Sequence, residues 1–546
     1  MFRRLTYRLT TLVLAASGFL NTDTPLSAQQ AKTVFCFTDG SKIGAERFET
    51  RDGKFLLYVP GSTTPLEYPA ANVCSVNVEP CNCPPPSKKD DTGGPPPQGD
   101  VLRFGIHGSN TIGERLMPML IEAYARNNFG AAPLTKLVKP EEMEITIRSD
   151  SETKAIIDFQ SHGSGTASKG LVEGKAQIGM ASRQLKKEEA DAVHDRFGID
   201  PFAAGNEHVL ALDGLAVIVS PDNPVEQLSL EQIGRIFSGV VTNWREVGGS
   251  DRPITLYRRD DKSGTFDTFK YLILDPLGLK IAPGAQKFES SELLAEAAAK
   301  DPGGIGFIAL PYVGKGNRAL KIGSNCGLTS APTRFSIKSE EYPLARRLYL
   351  YTNGTPSAPI ARDILKFALS DDAQATVSEA EFFNLGVEFQ NAEDQRSWAR
   401  GIVNNPTSAL GADKAVPASA IRFFDDAMTG MRRASMEFRF RPGSATLDTR
   451  ALQDVDRLGR YLSSSAVAGR RFYIVGFADS DGGWPRNEAL ARRRAETVAD
   501  LLTSEHHVRV QRSNVKSLSY LAPVSCNDSD AGKGKNRRVE VWIGDR

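Results

Sequence analysis

Residues 81–100 cannot join a hydrophobic core. Pro84, Pro85 and Pro86 open the stretch, Pro95, Pro96 and Pro97 close it, and the residues between are polar or charged. Such a composition makes a semi-extended spacer, so the chain before it and the chain after it must fold separately. With 546 residues in all, one core cannot serve the remainder either, and roughly three or more domains are expected.

The first residues read as a targeting segment. Arg3, Arg4 and Arg8 are followed by an apolar or small run over 9–20, and Leu26-Ser27-Ala28 offers a small-residue cleavage site. This is a secretory signal peptide over 1–28; the run is too short to span a bilayer. Thr33-Val34-Phe35 before Cys36 makes a poor lipidation site, so no lipid anchor is expected. Export places the six cysteines in an oxidising compartment. Cys36 and Cys74 bracket the small module before the spacer and are expected to staple it. Cys81 and Cys83 have a spacing unlike that of zinc ligands. Cys326 and Cys526 fall in different domains and are expected to stay unpaired, although spacing alone fixes no connectivity.

Charge excludes some classes. Sixty-seven Lys and Arg balance 66 Asp and Glu, for a net charge of +1. That balance gives no electrostatic reason to expect nucleic acid, and 40% hydrophobic content excludes an acidic disordered chain.

Residues 29–80 read as a small β module, with strands over 34–37, 54–59 and 73–78 and turns at Asp39-Gly40 and Asp52-Gly53. Residues 101–398 alternate strands (210–219, 254–257, 303–310) with helices such as 230–237, which argues an α/β domain with a mostly parallel sheet. Residues 399–430 read as a linker, partly helical. Residues 431–546 form an α+β unit. Leu452, Val455, Leu458 and Leu462 make one helical stripe, and Ala491, Ala495, Val498 and Leu502 a second. Val539, Val541 and Ile543 alternate with Glu540 and Trp542, as in a half-exposed final strand.

Three loops in the α/β domain share one character: Gly108-Ser109-Asn110-Thr111, Gly163-Ser164-Gly165-Thr166 and Ser263-Gly264-Thr265. Small hydroxyl residues at a helix start leave amides pointing outward beside the positive end of the helix dipole, which suits an oxyanion. Each loop alone is more simply an N-cap; three in one domain, with Arg259 before the third, point to an anion site. The segments Asp213-Gly214-Leu215-Ala216-Val217-Ile218-Val219, Asp222-Asn223-Pro224, Ile236-Phe237-Ser238-Gly239, Thr242-Asn243-Trp244 and Gly304-Ile305-Gly306-Phe307 resemble the PstS family of periplasmic phosphate-binding proteins. The resemblance implies a two-lobed binding-protein fold with phosphate or another tetrahedral oxyanion in the cleft. It implies contacts from Ser109, Thr111, Ile112, Ser164, Arg259, Ser263, Gly264 and Thr265, with Asp261 holding Arg259. Where the family carries an aspartate, the alignment places Met180. Thioether sulfur is a weak acceptor, so loss of the preference for hydrogen phosphate over sulfate is expected. His107 and His162 read as polar loop residues.

The C-terminal unit carries Gly476-Phe477-Ala478-Asp479, Asn487, Leu490, Arg494-Ala495 and Asn536-Arg537-Arg538-Val539, and resembles the OmpA-like peptidoglycan-binding domain, with Ala491 in place of a common serine. Asn487 and Arg494 are seven residues apart, two helical turns, and share a face. A carboxylate and a guanidinium together suit a ligand bearing both an ammonium and a carboxylate. The resemblance implies that ligand is diaminopimelate of peptidoglycan, held by Asp479, Asn487 and Arg494.

The expectation is an envelope protein anchored non-covalently to peptidoglycan and carrying an oxyanion receptor. Its place is the periplasm, with the cell wall and outer membrane of a Gram-negative bacterium. The alternative is a structural protein whose middle domain is a ligand-free spacer or docks an envelope protein partner. No Ser-His-Asp order, metal cluster or Walker loop stands out, so no enzyme, cofactor or metal is expected.

Overall fold

The structure, a computed structural model, describes strands and a few adjoining residues between 33 and 76, and residues 101–544 apart from 150–151, 262, 289, 315, 411–412, 441–445, 466 and 468. The segments read as a signal peptide (1–28) and a proline-rich spacer (81–100) lie outside the described residues. The chain divides into two compact units, Met1–Gly99 and Asp100–Arg546.

In the first unit, two antiparallel three-stranded sheets surround a minimal core of Phe35, Ala45 and Leu57. Cys36 stands opposite Ser75 in the pairing of Thr33–Phe37 with Val73–Val76. The expected Cys36–Cys74 bridge concerns side chains outside the described set.

The second unit is built on one curled sheet. Its main strands are β1 (Leu102–Gly108), β2 (Leu134–Lys139), β3 (Glu142–Ser149), β4 (Glu152–Gln160), β5 (Ile178–Ala181), β6 (Glu207–Val219), β7 (Thr255–Arg259), β8 (Gln286–Phe288), β9 (Gly304–Ala309) and β10 (Ala345–Tyr351), in the order β8-β7-β9-β6-β10-β5-β1-β4-β3-β2. The sheet is mixed rather than mostly parallel. β1 runs parallel to β4 and β5, and β7 to β8 and β9. β6 and β10, however, pair antiparallel with each other and with their outer neighbours. β2, β3 and β4 also pair antiparallel in sequence order at the far edge, and β6 passes from one lobe to the other. Its 13 residues pair with β10 over Glu207 to Gly214 and with β9 from Leu215 to Val219. The first lobe's core gathers Ile106, Leu120, Ile147, Ile157, Met180 and Leu350. The second lobe's core centres on Phe237, Phe269 and Phe307, the last two stacked 3.9 Å apart.

In the C-terminal part, strands β11 (Met431–Arg439), β12 (Phe472–Gly476), β13 (Val515–Ser517) and β14 (Arg538–Gly544) form one sheet, ordered β11-β14-β12-β13. Helices Thr449–Ser463 and Trp484–His506 cover one face through Val455, Leu458, Val498 and Leu502. β14 is not half-exposed as its alternation suggested, because all seven of its residues are buried. The segment read as a linker supplies the cover: helices Ala392–Asn404 and Ala418–Gly430 pack Ile402, Phe424 and Met428 against Val475, Phe477 and Trp542 on the other face. The polar member of the alternation, Glu540, is neutralised inside by Arg433 at 3.2 Å and Arg538 at 2.6 Å, as a buried carboxylate must be. Among the described residues no helix is long and apolar enough to cross a membrane.

His208 on β6 bears on pH stability. Its Nε2 is shut off from solvent without a partner, and burial pushes its pKa down to about 4, opposed by a bond to the Gly205 backbone. The unfolded ring titrates near 6.5, so the unfolded state takes up the proton first. The contribution is intact above 6.5 and is lost as pH falls from there toward 4. We expect thermal unfolding temperatures to fall across this window, and His208→Asn, which keeps a donor without a titrating ring, to flatten that fall. An unchanged pH profile in the variant would contradict this assignment.

Candidate functional site

The first and third loops meet at the floor of a cleft of about 400 Å³ between the lobes, lined by Thr111, Arg259, Ser263, Gly264 and Thr265 among others. In the first loop, the first amide bonded back along the helix is Gly113 N, to Ser109 O at 2.8 Å. The amides of Asn110, Thr111 and Ile112 precede it and are the orphan donors of a helix start. Ser109 and Ile112 are themselves buried, at 1% and 0% exposure, and the Ser109 backbone is already engaged, its N–H donating to Met180 O and its carbonyl accepting from Gly113 N, both at 2.8 Å. In the third loop, Ser263 caps the short helix Gly264–Phe269 by accepting from Thr265 N. Gly264 has no room for a side chain: an added Cβ would lie 2.6 Å from Thr111 Oγ1 and 2.9 Å from Thr111 Cα.

One ion pair holds this floor. Asp213 on β6 and Arg346 on β10 are cross-strand partners in register, and Arg346 Nε donates to Asp213 Oδ2 at 3.1 Å. The same guanidinium donates through Nη2 to Thr111 Oγ1 at 3.0 Å and to Gly264 O at 3.3 Å. Both charged side chains are nearly inaccessible, at 5% and 9%. Because Thr111 Oγ1 accepts from Arg346, its hydroxyl hydrogen is free to point into the cleft.

Arg259 also faces the cleft, but Asp261 does not hold it. Arg259 Nη1 donates to Ser291 Oγ at 2.6 Å, and its Nε is buried with no hydrogen-bond partner. Asp261 pairs instead with Arg258 at 2.8 Å and Lys287 at 2.6 Å. Successive strand residues point to opposite faces, and Arg258 turns away from the cleft to stack 4.6 Å over Phe266.

The second loop adjoins the first through Gly163 N to Gly108 O at 2.8 Å, but Ser164 does not line the cleft floor. Its Oγ lies 3.1 Å from Ser182 Oγ and accepts from Ser182 N at 3.0 Å. Met180 has no part in this: it is fully buried in the first lobe's core. The residue that reaches Ser164 at the strand's end is Ser182. At the mouth, Tyr312 from the second lobe donates to Glu381 of the first at 2.8 Å, and Arg115 pairs with the same carboxylate at 3.3 Å.

In the C-terminal part, Asp479 lies just past β12 and accepts from Arg537 Nη1 at 2.9 Å. Arg494, on the helix Trp484–His506, sits 5.4 Å over the Phe440 ring. Among the described residues its guanidinium donates no hydrogen bond. Burial and the neighbouring Arg537 pull its pKa below the usual value, with Asp479 opposing. Asn487 is 2% exposed and its side-chain nitrogen donates to Asp481 O at 2.9 Å, shaping the loop after Asp479. Gly476 lets the helix press on the strand end, since an added Cβ would lie 2.0 Å from Ala491 O.

The PBP superfamily domain matches residues 143–372, and the OmpA family matches residues 439–537. The phosphate-binding protein PstS of Bacillus subtilis is 33% identical over 224 residues, 41% of this chain and 69% of that protein. PstS of Pseudomonas aeruginosa is 28% identical over 237 residues, covering 40% and 72%. An ABC-type phosphate transport receptor from Vibrio cholerae aligns in structure over 51% of this chain and 99% of its own, at 25% identity and a TM-score of 0.40. The chain belongs to the PstS family. It joins that two-lobed fold to an OmpA-family domain.

Two residues of consequence carry little local signal in sequence. Asp213 stands out only as part of a PstS-like segment, and Arg346 not at all, since its partners lie 133 and 235 residues away. Arg537 was visible in the OmpA-like motif, but its pairing with Asp479 was not. The three acids Glu341, Glu437 and Glu540 approach closely enough to suggest a metal, yet Arg433 and Arg538 fill that role, and burial pushes the Glu437 carboxyl up to about 8.

The geometry of the PstS-family cleft makes two stability predictions. Arg346→Ala leaves Asp213 buried and unpaired and should cost about 3–5 kcal/mol. Gly264→Ala must displace Thr111 and should cost about 1–3 kcal/mol. Urea denaturation of the full chain measures both; values within about 0.5 kcal/mol of the parent would contradict the role given to this contact.

Proposed function

We propose that this chain is a wall-tethered oxyanion receptor of the periplasm, a binding protein rather than an enzyme. The observation that carries the reading is the donor set of the cleft. Thr111, Arg259, Ser263 and Thr265 line it together, the amides before Gly113 open the adjoining helix, and the buried Arg346 cation stands behind Thr111. Donors without internal acceptors favour a ligand that is all acceptor, and a tetrahedral oxyanion is one. Phosphate is the ligand we assign, in keeping with the PstS relatives. Ser263, Gly264 and Thr265 complete the floor, while Ser109 and Ser164 hold the loops behind it through Met180 O and Ser182.

Selectivity belongs to Ser182. A serine hydroxyl can both donate and accept, so it tolerates phosphate and sulfate alike; an aspartate there would repel an anion carrying no proton. Calorimetric titration of the full chain should show phosphate binding. Arg259→Ala should weaken it by about 1.5–3 kcal/mol, tenfold or more. Ser182→Asp should raise the ratio of phosphate to sulfate affinity. If neither anion binds the parent and Arg259→Ala changes nothing, the middle domain is a spacer, and the structural reading replaces this one.

The OmpA-family domain supplies the tether. Asp479 and the paired guanidinium groups of Arg494 and Arg537 offer one carboxylate and two cations, suited to the ammonium and carboxylates of diaminopimelate in peptidoglycan. The full chain should sediment with purified peptidoglycan. Asp479→Ala and Arg494→Ala should each abolish this, because removing either leaves an opposite ligand charge unpaired. Undiminished sedimentation of both variants would refute the assignment.

A further inference from the structure

The lobes of the PstS-family part are joined by β6 and β10, so any change in the angle between them must bend those two strands. The C-terminal domain grips both. Thr449 Oγ1 donates to Glu207 Oε1 at 2.8 Å, and Gln453 Oε1 accepts from Val209 N at 3.3 Å. The β6–β10 register shifts between Val209 and Ala211, so Gln453 serves an amide at the irregularity. On β10, Arg347 follows Arg346 and points the other way. It pairs with Glu340 and with Asp448, the N-cap of the helix Thr449–Ser463. Arg450 reaches back to Glu340 at 3.2 Å and to the Lys338 carbonyl.

The same domain is fastened to each lobe beyond the crossing. Cys526 is disulfide-bonded to Cys326 in the second lobe, across 200 residues of sequence. This corrects the expectation that both stay unpaired, which took separate domains to mean separate surroundings. Cys326 sits in the turn between Lys321–Gly323 and Thr329–Ser330, and that turn meets the loop before Asp530–Asn536. On the first lobe, Arg460 pairs with Asp371 through two bonds of 3.0 and 3.1 Å.

We propose that the OmpA-family domain has a second function: it braces the two lobes across their crossing strands and holds the cleft at one angle whether or not an anion is bound. A tether would need one attachment. Here the attachments fall on the first lobe, on the second lobe and on both connecting strands, and one of them is covalent. Arg346 and Arg347 make the arrangement local, one residue fixing the cleft floor and the next fixing the brace. The proposal does not rest on the identity of the anion, because its main readout needs none.

The test is an interlobe distance in the full chain. Spin labels carried on non-cysteine residues replace Lys187 in the first lobe and Lys300 in the second, both well exposed at 81% and 78%. Pulsed dipolar spectroscopy of the ligand-free protein should give a single narrow distribution, displaced by less than about 2 Å, the scale of ordinary rigid binding, when inorganic phosphate is added. Replacing Cys326 and Cys526 with Ser together with Arg347→Ala should broaden the distribution and move its centre. Should Arg347→Ala unfold the chain, the Cys326→Ser, Cys526→Ser pair alone, with circular dichroism confirming its fold, should broaden the distribution in the same sense. A parent distribution as broad as that of the variants would overturn the brace, as would a parent displacement by phosphate as large as theirs. Failure of phosphate to bind would leave the ligand-free comparison intact and would count against the receptor reading alone.

Discussion

The floor of the interlobe cleft depends on one buried ion pair. Arg346 and Asp213 face each other across β6 and β10, where the chain passes between lobes. The guanidinium has donors enough to bind the carboxylate, the Thr111 hydroxyl and the Gly264 carbonyl at once. A neutral side chain could fill the space, but it could not tie two loops from different parts of the sequence to one strand. Burial of both charges is unfavourable by itself, and breaking such a pair costs far more than its net worth. The pair therefore gives geometric specificity: it sets where Thr111 and Gly264 stand, and so where the cleft floor lies.

Much of the architecture was legible because it rests on local signals. Helical stripes marked the C-terminal helices, and hydroxyl-glycine loops before apolar helices marked the first and third loops that meet at the cleft. What the sequence hid was set by partners far along the chain. Asp261 lies two residues from Arg259 but pairs with Arg258, because strand alternation sends the two arginines to opposite faces. Met180 occupies the right segment for a ligand contact, yet points into the first lobe's core, and Ser182 takes the position beside Ser164. The residues of β14 alternate as if one face met water, but a helix pair formed by the connecting segment covers that face. In each case a correct local pattern was given the wrong neighbour.

The same lesson applies to the domains. Residues 399–430 read in sequence as a partly helical linker between the two-lobed part and the OmpA-family part. The segment is instead structural: Trp398 and Phe424 pack together and Phe424 meets Trp542, closing the C-terminal core. Glu341, from the two-lobed part, pairs with Arg433 of the C-terminal sheet at 2.7 Å, with Arg433 only 1% exposed. A charge buried between two domains ties their stabilities together, because separating them would strand it.

The central claim is that the cleft floor framed by Arg346 and Asp213 seats a tetrahedral anion. A crystal structure of the full chain grown with phosphate tests it most directly. The claim predicts phosphate within hydrogen-bond distance of Thr111, Arg259 and the Ser263-Gly264-Thr265 loop, with Arg346 still bonded to Thr111. A cleft holding only water at saturating phosphate, or phosphate bound elsewhere with that loop unengaged, would contradict it.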